Sequence, residues 1–211
     1  RFRVPVIAMK AGVFCMGSSA GFFIEYYTDD LASVGVFSVA LTFASVIPVL
    51  CTALLQYSYP RIYSLLAEKS SNHEALKWQL MFYTGMMLLG TGLVVIAAPI
   101  LYPVVLKSSY QAGLSYFFYL CIGNFCWSIS YLLYAFMLFH KEKRKLLTAS
   151  LISVVISLVS NALFIRHMGA QGAAISMCAV YVTVLAVTIF FVRRQLKPVF
   201  FPDPTIQSNA S

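Results

Sequence analysis

The chain has 211 residues, 60% of them hydrophobic and only 10% charged, with a mean hydropathy of +0.82. Soluble domains carry far more charge, so this balance excludes one and points to an integral membrane protein. The net charge is +8, but in a membrane chain the placement of cations matters more than their sum, and nucleic acid is not expected as a partner.

Six apolar spans are predicted, at about 4–27, 33–59, 76–105, 113–139, 146–165 and 172–192. Each is near or above the ~20 residues that a bilayer crossing needs. The first reads VPVIAMKAGVFCMGSSAGFFIEYY and carries Lys10 near one end and Glu25 near the other. It is too long and too polar on one side for a signal peptide. At about 100° per residue, Lys10, Gly17, Ser18, Gly21 and Glu25 share one arc of roughly 80–100°. A spanning helix with such a stripe needs protein or water against it, not lipid. Lys10 either snorkels to the surface, being about two turns inside, or meets an anionic group such as a phosphate. Glu25 is either an interfacial carboxylate in water or a titrating group for coupling to protons. The two are about 22 Å apart along the helix and cannot pair within it. Arg1 in place of a start methionine is expected of a fragment or a processed chain.

The second span repeats the pattern. Ser38, Thr42, Ser45, Thr52 and Gln56 fall within one arc of about 80°. Pro48 is expected to bend this span, as prolines do in transporter helices. The two stripes are expected to face one another or to line a shared water-filled cavity. The plainer alternative for the Ser/Thr stripe is close helix packing. The connector that follows carries Ile62, Leu65 and Leu66 at helical spacing, which predicts a short interfacial helix. Ser71-Asn72-His73-Glu74 fits a capping box for the third span. Pro99 and Pro103 are expected to bend the end of that span or carry it out of the bilayer.

Span four has Asn124, Ser128 and Tyr131 on one face. Span five has Ser150, Ser153, Ser157 and Ser160 with Asn161 beside them. For both, packing and hydrogen bonds between helices outweigh substrate contact. Lys141 to Lys145 reads as a solvated anchor facing anionic lipid heads. Residues 198–211 contain three prolines and read as a disordered cytoplasmic tail.

Connector charge sets the orientation. Twelve of the 15 Lys and Arg lie on one side, Lys107 and Arg166 lie on the other, and Lys10 is within the first span. The positive-inside rule then places both ends of the chain in the cytoplasm. The five cysteines all sit in apolar stretches without metal-ligand spacing, and three histidines lie far apart. No metal site and no disulfide are expected. There is no P-loop, no HExxH and no pair of intramembrane carboxylates. Transport is therefore expected rather than catalysis, with no catalytic residues and no cofactor beyond possible coupling to protons or Na+.

Four stretches in order resemble the C-terminal half of the Wzx-type polysaccharide flippases of the MATE-like flippase superfamily. Pro5 opens a span ending Phe22-Phe23-Ile24-Glu25-Tyr26-Tyr27. Val34-Gly35-Val36-Phe37-Ser38-Val39-Ala40 is similar to the family's "vGxYSvA". Gln56-Tyr57-Ser58-Tyr59-Pro60-Arg61-Ile62-Tyr63 is similar to "xxxWxPxiY". Gly169-Ala170-Gln171-Gly172-Ala173-Ala174-Ile175-Ser176 is similar to "yGxxGAAiat". Ala20-Gly21 stands where many relatives carry Asp-Arg, so no charged role transfers there. Nor does the proline usual before the last motif have a counterpart. The resemblance implies an all-α protein of twelve membrane helices in two lobes, of which this six-helix chain is the second. It also implies a partner lobe and a substrate, an undecaprenyl-pyrophosphate-linked oligosaccharide flipped across the bacterial inner membrane by alternating access in O-antigen, capsule or exopolysaccharide synthesis. The substrate-cavity candidates are Lys10, Ser18, Glu25, Ser38, Thr42, Ser45, Thr52 and Gln56. The alternatives are a drug or metabolite exporter of the same superfamily and an intramembrane glycan polymerase. The first would need an acidic cavity, against Lys10; the second would need a sizeable outer loop, against the short ones here.

Overall fold

The computed structural model describes residues 19–28, 30–67, 73–106 and 108–200. These are helical nearly throughout: residues 19–28 (α1), Leu31–Ala44 (α2), Val46–Ala67 (α3), His73–Val105 (α4), a single 3-10 turn at Ser108–Tyr110, Gly113–Phe139 (α5) and Lys143–Phe200 (α6). Four stretches are long and apolar enough to cross a bilayer: Leu31–Ala67, His73–Val105, Gly113–Phe139 and Arg144–Lys197. The described residues are all-α, and their long apolar helices are those a multi-pass membrane protein needs.

α2 starts where Asp30 caps it, its carboxylate accepting from Ala32 N at 2.9 Å and from the Ser33 hydroxyl. α2 passes into α3 at Ser45, which keeps near-helical dihedrals (φ −67°, ψ −12°). The discontinuity expected of Pro48 therefore falls three residues before it, and Pro48 sits in the first turn of α3. That is where a missing N–H is tolerated. α3 then runs through Pro60 to Ala67. Ile62, Leu65 and Leu66 thus belong to the end of this helix and form no separate interfacial helix. The buried positions Phe37, Ala40, Ala44, Ile47, Cys51, Leu55, Ser58 and Ile62 recur every three or four residues, so one stripe of α2 and α3 faces the protein.

α5 is the central element, packing against α2, α3, α4 and α6. It is buried on every side from Leu132 to Met137. It ends in a Schellman motif: Glu142 N donates to Met137 O at 3.0 Å and Lys141 N to Leu138 O at 3.1 Å, with Lys141 at φ 55°. α4 stays helical through Pro99 and Pro103 to Val105. The capping-box residues Ser71 and Asn72 lie outside the described residues, while His73 and Glu74 open the helix.

α6 is not one rod. Gly169 has φ 57° and ψ −135° in its middle, a conformation open in practice only to glycine. The chain doubles back there. The Ser176 hydroxyl donates to Asn161 Oδ1 at 2.7 Å. Fifteen residues of straight helix would hold those groups about 22 Å apart. Asn161 is eight residues before Gly169 and Ser176 seven after it, as two antiparallel arms require. Gly172 lets the arms close, since a Cβ there would run into the carbonyl oxygen of Phe164. The predicted spans 146–165 and 172–192 correspond to these arms. The second arm stays helical to Phe200, so the tail expected from residue 198 starts no earlier than residue 201.

Candidate functional site

The interior holds a polar network that the apolar sequence conceals. Cys51 Sγ of α3 lies 3.1 Å from Tyr83 Oη of α4, which donates to the Ser128 carbonyl of α5 at 3.2 Å. Gln79 Nε2 of α4 donates to Ser58 Oγ of α3 at 3.2 Å, and Tyr59 Oη of α3 donates to the Tyr131 carbonyl of α5 at 2.8 Å. Asn161 Nδ2 donates to Ser19 Oγ of α1 at 3.0 Å while its Oδ1 accepts from Ser176. Asn124 and Ser128 are buried, as are Ser150, Ser153 and Ser157, and the hydroxyls of Ser128, Ser150 and Ser153 donate to carbonyls of their own helices rather than across to another. Trp127, Tyr131, Tyr134 and Tyr181 form a ring cluster between α5 and the second arm of α6, with centroids 5.3–6.3 Å apart. The i, i+4, i+7 spacing of Trp127, Tyr131 and Tyr134 was the sequence signal for it.

The predicted cavity residues stand apart from this interior. Lys10 and Ser18 lie outside the described residues. Glu25 is exposed on α1, and a Cβ added at Gly21, one turn before it, would meet nothing within 4 Å. Ser38, Thr42, Ser45, Thr52 and Gln56 are all exposed. They continue one face over α2 and α3, opposite the buried stripe, and only Val49 interrupts them. In the described residues the two stripes do not interlock: Ser19 of α1 bonds to α6, and the stripe of α2 and α3 has no side-chain partner on another helix.

Three of the stripe's four hydroxyls turn back onto their own helix. Thr42 donates to the Ser38 carbonyl at 2.8 Å, Ser45 to Thr42 at 2.6 Å and Thr52 to Pro48 at 2.9 Å. Each proton is satisfied, and each oxygen keeps lone pairs directed away from the helix. Pro60 has no N–H, so the i−4 carbonyl of Gln56 loses its helical donor beside the same face; the carbonyl that Pro48 leaves free is that of Ala44, a residue of the buried stripe. The stripe therefore presents acceptors together with the Gln56 carboxamide. It suits water, sugar hydroxyls or ammonium groups, and it holds no group that titrates near neutrality.

The other exposed faces differ sharply. From Met81 to Val105 the exposed positions of α4 are Met, Phe, Gly, Leu, Ile, Val and Pro only. From Leu151 to Phe164 the exposed positions of the first arm of α6 are Leu, Val and Phe only. Those surfaces suit hydrocarbon rather than water. Among the described residues no group of three or more His, Cys, Asp or Glu is placed to hold a metal ion. No family model, curated protein or solved structure matches the chain.

Proposed function

We propose that this chain is one six-helix lobe of a twelve-helix transporter, and that the whole moves a polyprenyl-pyrophosphate-linked oligosaccharide from the cytoplasmic to the outer leaflet of a bacterial inner membrane by alternating access. The observation that carries this reading is the segregation of polarity on exposed surfaces. Ser38, Thr42, Ser45, Thr52 and Gln56 mark one face of α2 and α3, whereas α4 from Met81 to Val105 and the first arm of α6 from Leu151 to Phe164 expose only apolar residues. A membrane protein with one wetted face and two greasy ones suits a cavity wall better than a self-contained bundle. The hairpin at Gly169 supports counting α6 as two crossings, which with the span at 4–27 makes six. It also supports a common side for Arg144 and Arg194, in keeping with cytoplasmic ends. The resemblance in the sequence supplies the substrate class. In this reading Lys10 meets the pyrophosphate as a point charge, Ser18 and the stripe meet sugar hydroxyls, and Glu25 is the coupling carboxylate for protons or Na+.

The test is made in cells deleted for the intact gene with glycan synthesis left on. Polyprenyl-linked repeat units should accumulate on the cytoplasmic face and be cleared by the full-length gene. The Lys10→Ala variant should fail to clear them, and Lys10→Arg should clear them in part. Intact surface glycan with no accumulation would contradict the flippase reading and favour an exporter of small molecules.

A further inference from the structure

The second arm of α6 ends in a cavity that the cavity-wall reading does not use. Its volume is about 530 Å³, and it is lined by Ile189, Arg193, Arg194, Leu196, Lys197 and Phe200. That size is typical of small-molecule sites. Three of the six lining residues are cations and three are apolar. Among the described residues none of the three cations has an acidic partner; the ion pair found there is Lys145–Glu142, at 2.6 Å. The Arg193 guanidinium lies over the Phe190 ring, 4.1 Å from its centroid, which steadies it against the helix. The register set by Asn161 and Ser176 puts Arg193 and Arg194 level with Arg144 at the start of the first arm. That end of the hairpin thus carries Lys141, Arg144, Lys145, Arg193, Arg194 and Lys197 against Glu142.

We infer that this cavity binds one anionic glycerophospholipid, with the headgroup phosphate held by Arg193, Arg194 and Lys197 and the upper acyl chain laid on Ile189, Leu196 and Phe200. Among the described residues the three cations have no acidic partner and lie within about one helical turn of one another, and guanidinium groups suit phosphate oxygens in bidentate geometry. The apolar side of the cavity selects a lipid over a free phosphate, which would gain nothing from Ile189, Leu196 or Phe200. The site differs from a diffuse basic surface because the Phe190 ring positions the Arg193 guanidinium and an apolar groove lies beside the three cations.

The experiment uses the full chain in a neutral detergent, titrated with phosphatidylglycerol and with phosphatidylcholine of the same acyl chains, and counts bound lipid by native mass spectrometry. Phosphatidylglycerol should be retained at least about tenfold better, as expected for several cations acting on one phosphate. R193Q/R194Q/K197Q should reduce the preference to about twofold or less, on the same electrostatic reasoning. R193K/R194K, which keeps the charge and guards against a folding defect, should retain most of it. R144Q/K145Q should leave it intact. Equal retention of the two lipids by the wild-type chain would overturn the inference. So would a preference that survives R193Q/R194Q/K197Q, or one that R144Q/K145Q abolishes equally.

Discussion

Asn161 touches three helical segments at once. It donates to Ser19 of α1 and accepts from Ser176 across the hairpin, and it is 1% exposed. Hydrogen bonds between membrane helices are worth roughly 0.6 kcal/mol on average and up to about 1.7 kcal/mol. Two such bonds, with Ser176 left buried when they go, make Asn161→Leu destabilising by about 1–3 kcal/mol. Thermal unfolding in detergent should show this as a clear fall in midpoint, with Ser19→Ala costing less. A midpoint equal to wild type would mean that Asn161 does not tie the segments together. Asp30 governs a different part of the chain. The Ser33 hydroxyl, then the Ala32 N–H, hold its carboxyl below the ordinary value of 3.8. A carboxyl lowered in the folded state stabilises while ionised, fully above its ordinary pKa, and the benefit is lost as pH falls through the lowered value. The amide of Ala32 should therefore be protected from hydrogen exchange at pH 7 and lose protection in strong acid. In Asp30→Ala it should be weakly protected at both. Protection at Ala32 that does not change with pH would contradict this cap. At this scale the sequence was readable where a polar residue interrupts an apolar run, as Asn161 does. It was not readable for Tyr83 or Gln79, whose partners lie on other helices.

The span boundaries at 113–139 match α5, because its connectors change composition sharply at both ends. The end of the second span was harder to read. Tyr59-Pro60-Arg61 looks like an exit from the membrane, yet α3 runs on because Ile62 continues its buried stripe. Tertiary packing outweighs one proline when the freed carbonyl faces outward. The loop at Arg166–Gln171 was legible from charge, and its geometry is a single glycine hinge. If α6 doubles back, labels at Val155 and Val182, both exposed and level across the hairpin, lie within the width of a helix pair, about 10–20 Å apart with linkers. A straight helix would separate them by about 40 Å. Spin-label distance measurement in the absence of the native cysteines should give the short value. Gly172→Val, which sets a branched side chain against the Phe164 carbonyl, should lengthen or broaden it. A single distance near 40 Å in the wild-type background would refute the hairpin.

At the scale of the whole molecule, the described residues form an interior of large aromatic and aliphatic side chains, packed with alanines and tied by buried hydroxyl and amide groups, and an exterior divided by chemistry. Hydropathy alone made the membrane class legible. The stripe on the second span was legible from its spacing, but which side of the bundle it takes was not, because packing and exposure both favour Ser and Thr on a membrane helix. The resolution lies in the opposite stripe, where Phe37, Ile47, Leu55 and Ile62 take the protein-facing side and leave Thr42, Thr52 and Gln56 outward. The central claim is that this outward face meets water. It is tested by single cysteines at Ser38, Thr42, Thr52 and Gln56, and for comparison at Leu93 and Ile96 on α4, in the full-length protein in intact membranes with native cysteines replaced. A small hydrophilic thiol reagent should modify the four stripe positions at least about tenfold faster than the α4 pair, because thiolate is scarce in hydrocarbon. Equal, slow modification at all six positions would place the stripe in lipid and contradict the cavity.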